Sequence, residues 1–371
     1  MSSLIIESSG RINMIGEHVD YNGGCVLPGS IDKKIRFKFH KIEGIDCHVK
    51  SITLAKEFKF SFEDLSPRKV HWENYIIGAV NNLINKKSFN LSTFSCEISS
   101  FLPIGAGISS SSSLICGMVK GLIELNDLKL SNNEIVDIVL DVEHNYIGLK
   151  GGIMDQFTIL NGKKDHLILL KCQNREFKHI TSNLQNFKIL LLNTNVEHNL
   201  ANTAYNERVN ECNEALEIIN KNVDANFNFL CEVPEKILNN HKKFLSKTLF
   251  NRASFVIREN LRTIKSAKML ENNKLSEMGN LMYESHFGLS KLYKVSCKEL
   301  DFLVDLTRNQ QKIIGSRMMG GGFGGCTINL IQDDFIDQFV NESCKTYRKK
   351  FGKEATPILA ELDNGITIKK T

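Results

Sequence analysis

The feature that most constrains this 371-residue chain is a stretch near its start, residues 10–32, in which glycines separate clusters of polar residues. Glycine lets a backbone turn sharply, and polar groups on one such loop can converge on a small polyhydroxylated ligand. A plain polar surface loop is the alternative, and residue types alone do not separate the two. The stretch reads GRINMIGEHVDYNGGCVLPGSID, and its candidate ligand-binding residues are Arg11, Glu17, His18 and Asp20.

Size and composition favour an ordinary two-domain globular protein. A chain of 371 residues exceeds the usual size of one hydrophobic core, so two domains are expected. Its 42% hydrophobic and 24% charged residues are typical of globular proteins. The formal net charge of +5 is spread along the chain, without a basic face interleaved with aromatic residues. Nucleic-acid binding is therefore not expected, whereas the mildly positive charge suits small anionic ligands.

Signals of zinc binding, dithiol redox chemistry, secretion or membrane insertion do not occur in the sequence. The ten cysteines include no C-x-x-C pair, which indicates free, mostly buried thiols in a reducing compartment. The first residues, MSSLIIE, lack the basic and apolar regions of a signal peptide. No apolar run approaches the ~20 residues that span a bilayer. We therefore expect a cytoplasmic protein without membrane contact.

The pattern of apolar residues predicts a mixed α+β chain. Short alternating runs predict strands in the first ~70 residues, and helical spacing predicts a helix over Trp72–Asn85. Ser131 and Glu134 form a capping-box pattern, which predicts that another helix begins there. Beyond Ala204 the chain is mostly helical, and it ends in a strand, a helix and a strand. These later elements are Tyr205–Asn220, Phe255–Leu270, Leu275–Leu289, Lys298–Arg308, Thr327–Ile331, Phe335–Lys350 and Ile358–Leu362.

A Gly- and Ser-rich junction between a predicted strand and a predicted helix, Leu102–Ser113, indicates an anion site. Free N–H groups at a helix start, together with the helix dipole, favour a phosphate group. Gly105 and Gly107 let the backbone approach phosphate oxygens, and five consecutive serines supply hydroxyl groups. The junction is not a Walker A loop, because it lacks the G-x-x-x-x-G-K-[S/T] pattern. A flexible linker is the alternative, but the flanking strand and helix disfavour it.

Two further glycine-containing segments carry candidate functional residues. Gly320–Gly325 satisfies G-x-G-x-x-G but lacks the βαβ context of a dinucleotide site, so we expect a tight turn packed against another segment or a ligand. In Lys150–Gln156, two glycines precede Asp155 and favour a bend that presents its carboxylate. Glu143 comes shortly before, near the end of a predicted helix.

Taken together, these segments resemble the galactokinases among the GHMP small-molecule kinases. Residues 11–32 resemble the galactokinase signature, 102–113 the phosphate loop, 152–156 the catalytic Asp segment and 318–326 the third, Gly-rich motif. The resemblance implies an α+β fold with the active site in a cleft between two domains. A mixed β-sheet domain with helices would cover 1–170 and bind sugar and ATP, and a ferredoxin-like α/β domain would cover 171–355. A last strand, about 356–371, would return to the first domain.

The resemblance implies transfer of the ATP γ-phosphoryl group to the anomeric hydroxyl of galactose, with Mg²⁺ as cofactor. By position, Asp155 would face the reacting hydroxyl, and Arg11 would lie between it and the phosphates. The sugar-binding residues would be Glu17, His18, Asp20, Gly152 and Tyr205. The ATP-binding residues would be Gly105, Ala106, Gly107, Ser109, Ser110, Ser111, Trp72 and Tyr75, with Ser111 and Glu143 also holding Mg²⁺.

Two alternatives stay open at this point. One is a kinase for N-acetylgalactosamine or another sugar, which would use the same fold. The other is a sensor that binds galactose and ATP without turnover, although the complete serine run favours an enzyme. Ser112 and Met319 depart from the family pattern, which commonly has Ala and Thr there. A monomer is expected, with a sugar and ATP as its small-molecule partners.

Overall fold

The computed structural model describes residues 3–103, 105–196 and 201–370, so Ile104 of the predicted phosphate loop and Thr371 of the last predicted strand lie outside the described residues. The strands are β1 (Leu4–Asn13), β2 (Cys25–Val26), β3 (Pro28–Lys41), β4 (Asp46–Ser51), β5 (Lys56–Ser61), β6 (Phe94–Ser100), β7 (His166–Lys171), β8 (Glu176–Thr181), β9 (Phe187–Asn193), β10 (Ile313–Met318), β11 (Cys326–Gln332), β12 (Thr356–Ala360) and β13 (Thr367–Lys370). The helices are α1 (His71–Asn81), α2 (Ser110–Leu125), α3 (Asn132–Asp141), α4 (Met154–Asn161), α5 (Ala201–Asn222), α6 (Glu235–Asn240), α7 (Lys247–Glu271), α8 (Leu275–Phe287), α9 (Lys298–Thr307) and α10 (Ile336–Phe351).

The N-terminal half contains a mixed six-stranded sheet in the order β13-β1-β3-β6-β4-β5, in which β4 and β6 are parallel. Helix α2 lies on this sheet because two of its residues are glycines. A Cβ atom at Gly117 or Gly121 would come within 2.1 Å of the rings of Phe37 and Phe39 on β3. The close approach brings the start of α2 beside β1, where the Arg11 N–H donates to the Ile108 carbonyl at 3.1 Å.

The C-terminal half contains an antiparallel four-stranded sheet in the order β10-β11-β9-β12. In chain order its elements read strand, helices, strand, strand, helix, strand, with β9 and β11 in the centre, and this is the ferredoxin-like arrangement. Helices α9 and α10 contribute to an apolar cluster with this sheet, which includes Leu190, Leu303, Phe339 and Tyr347. The expected combination of a mixed sheet and a ferredoxin-like sheet is therefore present.

A third sheet has the order β2-β7-β8, and the end of the chain contributes to the first two sheets. Strand β12 pairs with β9, whereas β13 pairs with β1 in the first sheet. The predicted last strand, about 356–371, is thus two strands, of which only Thr367–Lys370 returns to the first sheet. Between them the Asp363 N–H donates to the Ser30 carbonyl at 3.0 Å and the Ile366 N–H to the Ile159 carbonyl at 2.8 Å, which directs the crossover. A division of the chain near residue 170 stays a prediction.

The sequence pattern suggested that residues 10–32 form one loop, but this is wrong. Strand β1 continues through Asn13 and β3 begins at Pro28, with Arg11 opposite Ser30. Cross-strand pairing satisfies the backbone here despite the glycines, because both strands have partners. Asp155 lies in the first turn of α4 and not at a bend before it. Arg11 and Asp155 therefore both lie on regular elements, which hold them more firmly than loops would.

Most elements with a strong apolar pattern lie where the sequence predicts them. Helices α5, α7, α8, α9 and α10 are confirmed, with their ends moved by at most four residues except at the start of α7, which lies eight residues before the predicted one. The capping box at Ser131 and Glu134 is also confirmed, with Ser131 Oγ accepting from the Glu134 N–H. Each of the ten cysteines, all within the described residues, carries a free thiol. Among the described residues, none of the helices combines the length and apolar character that crossing a bilayer requires.

Candidate active site

Arg11 and Asp155 meet at the bottom of a cleft between the two halves. The Arg11 Nε donates to Asp155 Oδ1 at 2.8 Å, and its Nη2 donates to Oδ2 at 3.2 Å. Its Nη1 donates to the Gly107 carbonyl at 2.7 Å, in the predicted phosphate loop. The bidentate geometry fixes both side chains, because it matches the guanidinium fork to the carboxylate. The start and the middle of the chain therefore meet in this cleft, and Arg11 bonds both Asp155 and the predicted phosphate loop.

The start of α2, where the sequence predicts an anion site, lies next to this pair. Ser109 precedes the helix with a φ of +63°, and its Oγ donates to Asp155 Oδ2 at 2.5 Å instead of capping the helix. The first-turn N–H groups therefore receive no bond from the Ser109 side chain and can face an anion. Gly107 has a φ of +68°, which strongly favours glycine at this position. The glycines Gly105 and Gly107 of the turn thus bring its backbone to the cleft, which the serines that follow also line.

The cleft encloses about 390 Å³ and brings together most of the residues predicted to bind substrates. This volume is within the usual range for small-molecule sites. Gly320, Gly321, Gly322 and Phe323 of the C-terminal half line it as well, so the predicted glycine turn does pack against the other segments. The predicted site residues that line the cleft are Arg11, Glu17, His18, Asp20, Gly105, Gly107, Ser109, Ser110, Ser111, Glu143, Gly152, Asp155 and Tyr205.

Three residues predicted to bind ATP do not line this cleft. Ala106 is fully buried, with its backbone against Gly325. Trp72 packs edge-on against Phe58, with 5.1 Å between the ring centroids, at the start of α1. Tyr75 lies one turn further on, where burial and the charge of Glu143 raise its pKa to about 12. A contact of Trp72 and Tyr75 with adenine stays a prediction.

A residue that the sequence analysis missed, Arg317 on β10, holds Glu17 in place. Its fully buried guanidinium donates to Glu17 Oε1 at 2.9 Å and to the carbonyls of Asn13 and Met14 at 2.5 and 2.8 Å. The Gly320 N–H also donates to Glu17 Oε1, at 2.9 Å. Burial alone would raise the pKa of Glu17, but the charges of Arg317 and Arg11 outweigh burial and lower it. An arginine inside an apolar strand directly before a glycine run was the available signal.

The turn that carries Glu17 is held from the opposite side by helix α7, which the sequence analysis did not connect with the site. Buried Glu259 accepts from the Gly16 N–H at 3.1 Å and from Ser285 Oγ at 2.6 Å. Asn260 accepts from the Cys25 N–H at 2.8 Å. The bonds of Glu259 to Gly16 and of Asn260 to Cys25 end on backbone groups, so both halves of the protein fix the path of the signature segment.

Asp20 lies against the backbone of Gly152, and both residues line the cleft. A Cβ atom at Gly152 would come within 2.3 Å of Asp20 Oδ2, so this position has no room for a side chain. Burial and the negative charge of Asp155 raise the pKa of Asp20 to about 7. Within the described part of the chain no arginine pairs with it as Arg317 pairs with Glu17, so its charge changes near neutral pH. The aromatic ring of Tyr205 completes this wall of the cleft.

The predicted magnesium ligands, Ser111 and Glu143, both line the cleft. Glu143 accepts a hydrogen bond of 2.5 Å from Ser112, the serine that departs from the family pattern. Burial raises the pKa of Glu143 to about 8, with a contribution from the charge of Asp155. A hydroxyl and a buried carboxylate are hard oxygen ligands of the kind that Mg²⁺ uses alongside substrate phosphates. The residues present therefore fit the ion.

The other departure from the family pattern, Met319, does not reach the cleft. Its side chain is buried, and its sulfur accepts from the Asn13 N–H at 3.4 Å. Its carbonyl oxygen lies near Gly107, where a Cβ atom would be 3.7 Å away. The thioether therefore packs behind the glycine turn and does not replace a hydroxyl at the phosphates.

Comparisons with known proteins agree with this geometry. Protein-family models match three parts of the chain: the galactokinase galactose-binding signature over residues 2–39, the GHMP kinases N terminal domain over 74–163 and the GHMP kinases C terminal over 263–349. A solved mevalonate kinase shares the fold, with a TM-score of 0.66 at 21% identity over 97% of this chain and 99% of that one. The fold and the cleft thus define a two-domain GHMP kinase.

Sequence relatives narrow this class. The galactokinase of Clostridium tetani is 36% identical over 363 residues, which cover 96% of this chain and 91% of the relative. That of Thermotoga maritima is 37% identical over 350 residues, covering 94% and 95%. The crystal structure of Lactococcus lactis galactokinase complexed with galactose superposes with a TM-score of 0.93 at 30% identity, covering 98% and 95%. The chain belongs to the galactokinase family.

Replacing Arg317 by Met tests its structural role. We expect a loss of about 3–5 kcal/mol in the free energy of unfolding, because Glu17 would stay buried without its partner. Urea denaturation measures this loss. The double variant R317M/E17Q is expected to recover part of it, since an amide costs less to bury than a charge. The matched surface variant Arg308→Met, whose pair with Asp305 is exposed, should change stability little. Equal losses for both arginines would contradict this role.

The raised pKa of Asp20 predicts a pH dependence of sugar binding in the absence of nucleotide. The charged carboxylate accepts hydrogen bonds from sugar hydroxyls, and below pH 7 most of it is protonated. Galactose affinity measured by calorimetry should therefore rise about 10-fold between pH 6 and pH 8. His18, whose pKa burial lowers to about 4, does not titrate in this range.

The raised pKa of Asp20 also predicts that the folded protein becomes less stable as pH rises, whereas sugar binding becomes stronger. A carboxyl group whose pKa is raised on folding destabilises the protein as pH rises from its unfolded to its folded pKa, here from about 4 to about 7. Asp20→Asn should therefore raise the melting temperature relative to the parent at pH 8, with the difference shrinking toward pH 4. The variant should also lose the pH dependence of sugar binding. A variant that melts lower at pH 8 would refute the buried charge.

Proposed function

We propose that this chain is an ATP-dependent galactose 1-kinase, which converts galactose and ATP into galactose 1-phosphate and ADP. The observation that carries the proposal is the bidentate pair of Arg11 and Asp155 beside the start of α2. A sugar hydroxyl and a triphosphate can meet there, within a cleft of small-molecule size. Membership of the galactokinase family and the likeness to the galactose-bound Lactococcus lactis enzyme support galactose as the sugar.

In the proposed step, the anomeric oxygen of the sugar forms a bond to the γ-phosphorus, and the bond from that phosphorus to the bridging oxygen of ADP breaks. Such transfers pass through a loose transition state, so positioning and charge matter more than proton removal. Asp155 already accepts three hydrogen bonds, from Arg11 and Ser109, of the about four that a carboxylate can accept. The last position can orient the reacting hydroxyl and take its proton late. The Arg11 guanidinium stabilises the charge that develops on the phosphoryl oxygens.

The sugar would lie between the signature turn and the Gly152 backbone. Arg317 and Gly320 both use Oε1 of Glu17, so Oε2 can accept from a sugar hydroxyl. Asp20 is a second acceptor, and Tyr205 provides an aromatic surface with a hydroxyl group. ATP would place its phosphates at the turn of Gly105 and Gly107 and the serines that follow.

We further propose that Ser111 and Glu143 hold Mg²⁺ together with the phosphates of ATP. When bound, the ion neutralises phosphate charge and shields the carboxylates from one another. The protein would supply only these two ligands. Among the described residues, no cluster of three or more His, Cys, Asp or Glu side chains could hold a metal ion by itself. A monomer is likewise part of the proposal.

One assay separates the proposed activity from its alternatives. The protein is incubated with ATP, Mg²⁺ and a panel of hexoses, ADP release is coupled to a spectroscopic readout, and ³¹P NMR identifies the phosphorylated carbon. We expect galactose to be the preferred substrate and galactose 1-phosphate the product. Preference for N-acetylgalactosamine would replace the substrate, and sugar binding without ADP release would indicate a sensor.

Variants of the central pair test the assignment of catalytic roles. Asp155→Asn is expected to lower kcat on galactose by about 10²- to 10⁴-fold, and Arg11→Ala by about 10²- to 10³-fold. Both variants should keep their fold, as judged by circular dichroism and urea denaturation. Asp224→Asn, at an exposed position, is the matched control and should keep normal turnover. Near-normal kcat in Asp155→Asn would show that its role is assigned wrongly.

A further inference from the structure

The ring of His18 has both of its nitrogen atoms bonded to the protein. Nε2 lies 3.2 Å from the Gly321 carbonyl oxygen, and Nδ1 lies 2.8 Å from the Tyr21 hydroxyl. A carbonyl oxygen can only accept, so Nε2 must carry a proton. Burial lowers the pKa of His18 to about 4, so the ring is neutral and Nδ1 must accept the Tyr21 hydrogen. The network thus assigns the Nε2–H tautomer.

The same reasoning extends through two more residues. The Tyr21 hydroxyl lies 2.8 Å from the Tyr293 hydroxyl, which lies 3.1 Å from the sulfur of Cys212. Since the Tyr21 hydrogen points to His18, Tyr293 must donate to Tyr21, and the Cys212 thiol must donate to Tyr293. Burial raises the pKa of Cys212 to about 11 and the pKa of both tyrosines well above the ordinary value, so all three groups keep their protons.

Aromatic packing prevents the His18 ring from adopting another orientation. Its centroid lies 4.9 Å from that of Tyr293, 5.2 Å from that of Tyr205 and 5.9 Å from that of Tyr21. The residue also has a φ of +62°, an uncommon value for a side chain larger than glycine. Such a conformation persists only when the surroundings enforce it.

The bonds of His18 and Glu17 end on the backbone of two consecutive residues of the glycine turn, Gly320 and Gly321. Glu17 accepts from the Gly320 N–H, and His18 donates to the Gly321 carbonyl. A Cβ atom at Gly320 would lie 3.2 Å from the Gly107 carbonyl, and one at Gly321 would lie 3.2 Å from the Tyr205 ring. The turn therefore lies between the phosphate loop and the sugar wall, so a small displacement would change both.

We propose that Tyr21, Tyr293 and Cys212 form a hydrogen-bond relay that fixes His18 in its Nε2–H tautomer. His18 is then a positioning residue, which holds the glycine turn through the Gly321 carbonyl instead of offering a ring nitrogen to the sugar. This differs from the direct sugar contact that the resemblance implied for His18. The proposal rests on the galactose kinase activity for its kinetic test only, since the tautomer can be observed in the resting protein.

The first experiment is ¹⁵N NMR of the histidine side chains in the full chain, with His18 assigned from the His18→Gln variant. We expect the Nε2–H tautomer with no titration between pH 6 and pH 8, and we expect it to persist when galactose is added. An Nδ1–H tautomer, or a titration near the ordinary pKa of 6.5, would overturn the relay. This result stands whether or not the chain phosphorylates galactose.

The second experiment is a double-mutant cycle on kcat/KM for galactose. Tyr21→Phe and Tyr293→Phe are each expected to lower kcat/KM by about 5- to 50-fold, because a buried acceptor or donor loses its partner. In a relay the second substitution adds little to the first, so the double variant should lie within about 2-fold of Tyr21→Phe. Multiplicative losses would overturn the proposal.

The matched control is Tyr283→Phe on α8, which also removes a hydroxyl in a 2.8 Å bond, to Thr307, away from the cleft. It should change kcat/KM by less than about 2-fold. A loss equal to that of Tyr293→Phe would mean that general destabilisation, and not the relay, causes the effect. His18→Gln provides a rescue test, because its amide can both donate to Gly321 and accept from Tyr21. It should retain more activity than His18→Leu, and equal losses would contradict the positioning role.

Discussion

The buried guanidinium of Arg317 is the interaction on which the geometry of the cleft depends most. It belongs to a strand of the second sheet, yet it bonds two carbonyls at the end of β1 and the carboxylate of Glu17. Because Arg11 lies two residues before Asn13 on the same strand, its distance from the glycine turn follows from these bonds. A buried ion pair adds little net stability compared with apolar packing, but breaking one is costly. Its contribution here is therefore the fixed relation between the two halves of the protein.

The carboxyl groups that line the cleft differ in their partners. Glu17 is paired with Arg317 and Asp155 with Arg11. Among the described residues, Asp20 and Glu143 form no such ion pair, and burial raises their pKa values to about 7 and about 8. In the free protein these two carry protons for part of the neutral range. Binding of cationic or hydrogen-bond-donating ligands would favour their charged forms. Without substrates, these two buried carboxyl groups therefore have no ion-pair partner for their charged forms within the described part of the chain. Such sites reduce stability in exchange for function.

Patterns of local origin allowed most of the fold to be predicted, and the failures have physical reasons. Helices such as α7 and α10 have long apolar stripes, and the capping box at Ser131 marks its own helix. Residues 10–32 contain glycines and polar clusters that are typical of loops, but pairing of Arg11 with Ser30 makes both ends strands. Short strands such as β10, which contains a glycine and an arginine, give no alternation to detect. Tertiary pairing overrides the local pattern in these places.

The candidate site shows the same division between what a sequence marks and what it does not. The residues that line the cleft lie in conspicuous motifs, because their side-chain chemistry is unusual for their position. The residues that hold those motifs in place are not marked by a motif of their own. Arg317 bonds a carbonyl 304 positions away, and Glu259 bonds a backbone N–H 243 positions away. Every residue except proline offers both groups, so even where the sequence marks an unusual side chain such as Arg317, it does not show which backbone group that side chain bonds. In the sequence, Tyr293 and Cys212 resemble ordinary core residues. Their role follows only from the chain of hydrogen bonds that leads from them through Tyr21 to His18. A site read from motifs alone therefore names the groups that meet substrate but omits the groups that keep them in place.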